Sequence, residues 1–306
     1  MFIHKPVMCA EVLQYLKPVS GDVVIDCTIG EGGHAQFLLE AIAPDGRLIG
    51  IDRDEDALLA AKENLKRFAA PHTLIHDNFR NIRRIVAQLG IKEVNGILFD
   101  LGVSSFQLDT PERGFSIRLD ARLDMRMDQY DNVSAFDLVN KLPLFEIKRI
   151  LKEYGEERWA DRIANAILKI RRKEPIGTTG QLRGIVLNAI PYKGRTGRID
   201  PATRTFQAFR IAVNRELEAL EEAVKEAVPI LKERGRICVI SYHSLEDRIV
   251  KNQFKRFYQE GILTILTKKP VRAGDDEITR NPRARSAKLR AAEKMTGQRT
   301  IYSGGP

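Results

Sequence analysis

From Gly21 onward the chain alternates short apolar runs with stretches of helical spacing. Val23-Val24-Ile25-Asp26 is followed by helical periodicity from Ala35 to Ala41, then by Leu48-Ile49-Gly50-Ile51-Asp52, then by a second helical stretch from Ala57 to Phe68. Apolar runs of this length interleaved with amphipathic segments predict β-α-β-α units around a parallel sheet. The rhythm continues with a strand at Thr73 to His76, a helix at Asn81 to Leu89 and a fourth strand at Gly96-Ile97-Leu98-Phe99-Asp100. Three of these four strands end in aspartate: Asp26, Asp52 and Asp100.

The pattern then breaks. After Gly102 no clear strand recurs until Arg236-Ile237-Cys238-Val239-Ile240-Ser241, and Phe145 to Tyr154, Glu156 to Arg172 and Thr179 to Ala189 carry helical spacing instead. Thr178 is a candidate N-cap, with Pro175 and Gly177 as punctuation. The spacing predicts a helical insert over 107–200 between core segments 1–106 and 201–306. Pro201 suits a first helical turn, and one helix is expected from Ala202 to about Leu231, with Phe206, Phe209, Val213, Leu217, Leu220 and Val224 on one face. A helix from Leu245 to Tyr258, apolar alternation around Leu263 to Thr267 and a basic tail complete the chain. Between Arg118 and Asp128 charge alternates at every second position, which predicts an extended strand with a solvated charged face.

At 306 residues, 43% hydrophobic and 30% charged, the chain has ample material for a core and is no candidate for wholesale disorder. Its net charge of +9 favours a polyanionic partner. Cys9, Cys27 and Cys238 are far apart and form no Cys-x-x-Cys pair, so neither a disulfide framework nor a zinc knuckle is supported, no metal ligand set is expected, and a reducing cytoplasm fits. The first residues lack the apolar run of a signal peptide, and no segment approaches the roughly 20 apolar residues of a membrane span. A cytoplasmic protein without membrane contact is expected, and a homodimer is compatible with the sequence.

The turn after the first strand reads Asp26-Cys27-Thr28-Ile29-Gly30-Glu31-Gly32-Gly33-His34. Glycines there let the backbone approach a ligand at a helix N-terminus. The spacing is not the Gly-x-Gly-x-x-Gly of dinucleotide binders, which disfavours a nicotinamide-dependent oxidoreductase and suits a smaller nucleoside. Asp52, at the tip of the second strand, can accept hydrogen bonds from both ribose hydroxyls. Phe79, just past the third strand, suits either an adenine face or plain core packing. Asp26 and Asp100 end strands too, which places them at the crevice above the carboxyl edge of a parallel sheet, or as caps of the following turns.

Eight motifs occur in order: His4-Lys5-Pro6-Val7-Met8, Gly30-Glu31-Gly32-Gly33-His34, Asp100-Leu101-Gly102-Val103-Ser104-Ser105-Phe106-Gln107-Leu108-Asp109, Arg113-Gly114-Phe115-Ser116, Leu123-Asp124-Met125-Arg126-Met127-Asp128, Pro201-Ala202-Thr203-Arg204-Thr205-Phe206-Gln207-Ala208, Ser241-Tyr242-His243-Ser244-Leu245-Glu246-Asp247-Arg248 and Asn281-Pro282-Arg283-Ala284-Arg285-Ser286-Ala287-Lys288-Leu289-Arg290. Over nearly the full chain this resembles the bacterial 16S rRNA cytosine-N4 methyltransferases. The resemblance implies an α/β fold: a Rossmann-like class I methyltransferase core interrupted by an all-helical substrate-recognition domain. It implies S-adenosylmethionine as cofactor, held by Gly32, Gly33, His34, Asp52, Phe79, Asp100 and Gln107. The implied substrate is the exocyclic amine of a cytosine in the decoding centre of 16S rRNA, within the small ribosomal subunit. Two departures are visible: Ile117 stands where an aromatic is common in the family, and Tyr242 where phenylalanine is.

A cytosine amine is a poor nucleophile because its lone pair is delocalised, so it must be held in line with the transferable methyl. An acceptor near its protons would draw the nitrogen toward tetrahedral geometry as charge develops, and no covalent cysteine adduct is needed. Amino-methyltransferases acting on DNA often follow an acidic or amide residue with two prolines and an aromatic. Here Leu101-Gly102-Val103 follows Asp100, so that analogy assigns no acceptor. The catalytic expectation is Asp100, shared between cofactor and amine, assisted by Ser104 or Ser105; the alternative is that the serines only shape a loop. His243 either approaches the crevice or is structural, and Asp247 and Arg248 are expected to pair on a helix.

Basic residues gather at Lys193, Arg195, Arg198 and Arg204, at Arg248, Lys251, Lys255 and Arg256, and at Arg280, Arg283, Arg285, Lys288 and Arg290. Such clusters bind phosphates without reading bases, or form a solvated face. Arg204, Arg248, Arg283, Arg285 and Lys288 are the expected RNA contacts, on a single-stranded or distorted segment whose target base leaves its stack. A non-catalytic RNA-binding protein on a methyltransferase core is the remaining alternative, disfavoured by the intact glycine turn and Asp52.

Overall fold

The apolar runs after Gly21 become strands because aliphatic and β-branched residues fill both faces of each, as burial between two helical layers requires. In the computed structural model, which describes residues 6–191 and 200–297, α1 (Cys9–Leu16) precedes β1 (Val23–Asp26), α2 (Gly33–Ile42), β2 (Arg47–Asp52), α3 (Glu55–Leu65), β3 (His72–His76), α4 (Ile82–Gln88) and β4 (Val94–Asp100). Six helices follow: α5 (Ser105–Asp109), α6 (Ala135–Lys141), α7 (Leu144–Glu153), α8 (Ala160–Arg171), α9 (Thr179–Ala189) and α10 (Thr203–Asn214). The chain returns through α11 (Glu216–Ile230), β5 (Leu231–Ser241), α12 (Ser244–Gln259), β6 (Leu263–Ile265), β7 (Val271–Arg272), α13 (Asp275–Arg280) and β8 (Lys288–Lys294).

The strands form one sheet in the order β3-β2-β1-β4-β5-β8-β6, with β7 also beside β8. β1 to β5 run parallel; β8 runs antiparallel to β5, β6 and β7. Alternate residues point to opposite faces. Ile25, Ile49, Ile97, Phe99, Ile237 and Val239 pack with α4, α11 and α12, while Val24, Leu48, Leu98, Cys238 and Ile240 pack with α1, α2 and α3. Strand order reverses between β1 and β4, and a crevice opens beyond the carboxyl ends of strands at such a switch point.

The molecule divides into two compact units, Met1–Gly102 with Leu217–Pro306, and Val103–Glu216. The second has its own core, in which Leu123, Val139, Ile147, Ile163, Leu182 and Phe209 are fully buried. The return to the first unit therefore falls after Glu216, not at Pro201. Its cause is a break in the helix expected over Ala202 to Leu231: Arg215 adopts a left-handed conformation (φ 50°) and ends α10. Buried Asn214 fixes that end, accepting from Met127 N (2.8 Å) and donating to Met125 O (2.8 Å). The apolar stripe runs through the break because both halves bury one face, but against different cores: Phe206, Phe209 and Val213 in the second unit, Leu220 and Val224 in the first.

Two further expectations are corrected. Residues 118–128 form no strand ladder; the segment makes a single bridge, Arg122 to Thr178. Leu123, Met125 and Met127 are buried as the alternation required, but the charges are not simply solvated. Arg126 grips Asp124 through two nitrogens (2.7 and 2.8 Å) and donates to the carbonyls of Gln129 and Asp131. The basic tail also becomes structure, since Lys288 to Lys294 is an inner strand. Its charges are answered by neighbouring elements, Glu293 by Arg236 on β5 (2.7 Å) and Arg290 by Asp247 on α12 (2.7 Å).

Candidate active site

β1 and its glycine turn build the floor of the site. Gly32 caps α2 at φ +87°, and a Cβ added there would press to 3.2 Å from Leu65. A Cβ on Gly33 would press equally close to Pro6. Both positions thus need glycine for backbone shape or for space, and they deliver His34 to the first turn of α2.

Three strand-tip acids surround this turn. Asp52 Oδ2 accepts from Gly30 N (2.8 Å) and its Oδ1 from Asp54 N (3.0 Å), which ties the glycine turn to the tip of β2. Burial pushes its carboxyl up to about 6, against the pull of those N–H donors. Asp26 is buried in full; its Oδ1 accepts from Thr28 N (3.1 Å), whereas Oδ2 has no hydrogen-bond partner among the described residues. Burial raises Asp26 to about 7, and the neighbouring His34 only partly offsets this. Thr28 also accepts from Asp100 N (2.7 Å), which locks the end of β4 to the turn after β1.

Asp100 carries a contact on each carboxylate oxygen. His34 Nε2 lies 3.3 Å from Oδ2, and Tyr242 donates its phenolic hydrogen to Oδ1 at 2.8 Å. His34 Nδ1 faces Cys9 Sγ at 3.7 Å. Burial lowers the proton affinity of His34, but Asp100 and Cys9 outweigh it and raise the imidazole to about 10, so it is cationic at neutral pH. Tyr242 is held well above the usual phenol range by burial first and by Asp100 second.

Of the residues expected at the site, Gly32, Gly33, His34, Asp52 and Asp100 come together in the first unit. Phe79 lies past β3 with its ring edge-on to Phe99 (centroids 5.6 Å apart, planes at 86°), so one part of it is core packing. Ser104, Ser105 and Gln107 belong to the second unit. There Ser104 caps α5: its Oγ accepts from Gln107 N and its N–H donates to Gln107 Oε1, both at 3.1 Å. Ser105 opens that helix. His243 caps α12 with Glu246, the structural alternative. Asp247 is engaged by Arg290 (2.7 Å) and Lys288 (3.8 Å).

Arg204, Arg248 and Arg285 are exposed, Arg283 and Lys288 half-buried. Arg204 also donates to Glu156 O. Lys193, Arg195 and Arg198, like His4 and Lys5, lie outside the described residues. Thr28 and Tyr242 were missed as site residues. Tyr242 directly follows the tip of β5, and the strand-tip rule that singles out Asp100 points to it as well.

The site can be tested for its fit to a nucleoside methyl donor. Buried Asp26 Oδ2 awaits a hydrogen-bond donor, the turn presents glycine backbone, and Asp52 keeps lone pairs for hydroxyls. Those features suit a cationic, ribose-bearing ligand. A parallel α/β sheet with this acid-lined crevice at its switch point defines a nucleoside-cofactor enzyme of the class I methyltransferase type. The profile of the MraW methylase family matches residues 1–295, and the chain belongs to that family. It is 53% identical over 309 residues to "Ribosomal RNA small subunit methyltransferase H" of Geobacter sulfurreducens, covering 96% of this chain and 99% of that one. The protein of the same name from Halothermothrix orenii is 49% identical over 310 residues, with the same coverage. A crystal structure of an rRNA methylase from Streptococcus thermophilus aligns over 97% of this chain and 100% of that one at 12% identity and a TM-score of 0.45; the family rests on the sequence relatives.

Proposed function

We propose that the protein methylates the exocyclic N4 amine of a cytosine in the decoding centre of 16S rRNA, using S-adenosylmethionine. The observation that carries this reading is the convergence of Asp26, Asp52 and Asp100 around the glycine turn at the sheet's switch point. Family membership and relatives that act on small-subunit rRNA support it. The cofactor supplies an electrophilic methyl group on a sulfonium. Gly32, Gly33 and His34 hold its amino-acid end, Asp52 its ribose and Phe79 its adenine.

Asp100 is the group placed to meet the cytosine amine. Its carboxylate accepts a hydrogen bond from the amine, which localises the nitrogen lone pair and stabilises the positive charge that develops as the methyl arrives. Ser104 caps its helix, the loop-shaping role that is the alternative to assistance. The second unit serves as the substrate-recognition domain, and Arg204, Arg248, Arg283 and Arg285 contact phosphates; Lys288, turned toward Asp247, contributes less. Among the described residues no helix is long and apolar enough to cross a membrane, and the enzyme works in the cytoplasm on the small subunit. A homodimer is compatible with this reading. Mass spectrometry of rRNA nucleosides from cells with and without the protein tests it: loss of N4-methylated cytidine is expected, and an unchanged nucleoside profile would refute it.

A further inference from the structure

The first unit places a phenol against the carboxylate that the proposed reaction depends on. Tyr242 donates to Asp100 Oδ1 at 2.8 Å, while His34 faces Oδ2 at 3.3 Å as an ionic contact without hydrogen-bond geometry, so the phenol is the directional contact on the carboxylate. A carboxylate oxygen has two lone-pair directions. One contact on each oxygen fixes the plane of the group and leaves the other directions for ligand.

Tyr242 is itself held firmly. Its N–H donates to Glu246 Oε2 (2.8 Å), and Glu246 is 2% exposed at the start of α12. Its ring packs beside the turn that follows Asp100: at Gly102 (φ +97°) an added Cβ would lie 3.4 Å from Tyr242 Cδ2. One further bond, Leu101 N to Ile240 O (3.0 Å), joins the same two strand ends. The main chain at Tyr242 is thus fixed beside the end of β4, and the phenol stays protonated across the working pH range, because burial and the adjacent carboxylate disfavour its anion.

We propose that Tyr242 is a positioning residue for methyl transfer, acting through Asp100 and not on the substrate. The inference rests on Asp100 being the acceptor for the amine. Rotation of the Asp100 carboxylate would misdirect the lone pair needed by the cytosine amine, and the phenol prevents it. The hydroxyl should matter chiefly in the transition state, when charge grows on the amine, and little for cofactor binding.

The test compares wild type, Tyr242→Phe, Asp100→Asn and the double variant. Single-turnover methyl transfer is followed from methyl-labelled S-adenosylmethionine into small ribosomal subunits lacking the modification. Cofactor affinity is read by calorimetry and folding by thermal melting. The carboxyl-carbon resonance of Asp100 is recorded in the ligand-free protein. Tyr242→Phe keeps the ring and is expected to fold normally, to shift that resonance, and to slow transfer about three- to tenfold, the size of one hydrogen bond of ordinary net strength acting through a neighbour. Cofactor affinity should change less than about twofold, and the substitution should have no further effect in the Asp100→Asn background.

An unchanged rate in Tyr242→Phe, with Asp100→Asn impaired, would overturn the positioning role and leave Asp100 standing. Equal slowing in both backgrounds would also overturn it, because Tyr242 would then act independently. An unimpaired Asp100→Asn would remove the acceptor reading, and the proposal with it.

Discussion

The carboxylates of the two units are in opposite states. At the carboxyl edge of the sheet Asp26 is buried and Asp52 half-buried, both with few partners, and desolvation raises them to about 7 and about 6. In the second unit burial also works against Asp124, yet the Arg126 guanidinium more than offsets it and holds the carboxyl below its ordinary value. Asp137 is held well down too, by Lys141 and then Ser134. Acids that hold the fold together have matched counter-charges in the chain, whereas Asp26, Asp52 and Asp100 at the crevice share one cation, His34, which does not overcome the burial of Asp26. That shortage is tolerable where a cationic ligand completes the set.

The largest effect should come from breaking the paired kind. Arg126→Ala leaves Asp124 buried without its guanidinium and should cost roughly 3 kcal/mol of stability by denaturant unfolding. A loss under about 1 kcal/mol would show that the pair is not structural. Asp52→Ala should weaken S-adenosylmethionine binding about ten- to hundredfold in calorimetry, with little loss of folding; unchanged affinity would remove Asp52 from the pocket.

Asp26 sharpens the comparison through pH. Its folded pKa lies above its unfolded one, so its contribution is fully present below the unfolded value near 4 and is lost as pH rises through about 7. Asp26→Asn should therefore melt higher than wild type at pH 8, by on the order of 2 kcal/mol, and near parity at pH 4. Asp124 has the opposite sign: its stabilisation is present above the unfolded carboxylate pKa and fades as pH falls through the depressed folded value. A gain for Asp26→Asn that did not depend on pH would contradict the burial argument. The smallest effect is expected at the surface: Arg283→Ala with Arg285→Ala should weaken RNA binding and reduce its salt slope by about 2, one for each phosphate contact. An identical slope would exclude both residues from the interface.

Much of this protein was legible without coordinates. Strand runs of Val, Ile and Leu ending in Asp26, Asp52 and Asp100 specify a parallel sheet and the tips that line its crevice, because strand periodicity and the glycine turn are local properties. Thr178 was legible as a cap for the same reason, and its capping box with Gln181 is formed. What sequence could not decide were partners distant along the chain. Lys288 to Lys294 read as a basic tail because Asp247 and Arg236, which answer its charges, lie far off in sequence. The break at Arg215 was hidden because an apolar stripe does not say which of two cores it enters. Tyr242 meets Asp100 across 142 positions. Only the pairing of β4 with β5 brings their tips together, so local pattern determined the acids, and tertiary structure decided what holds them.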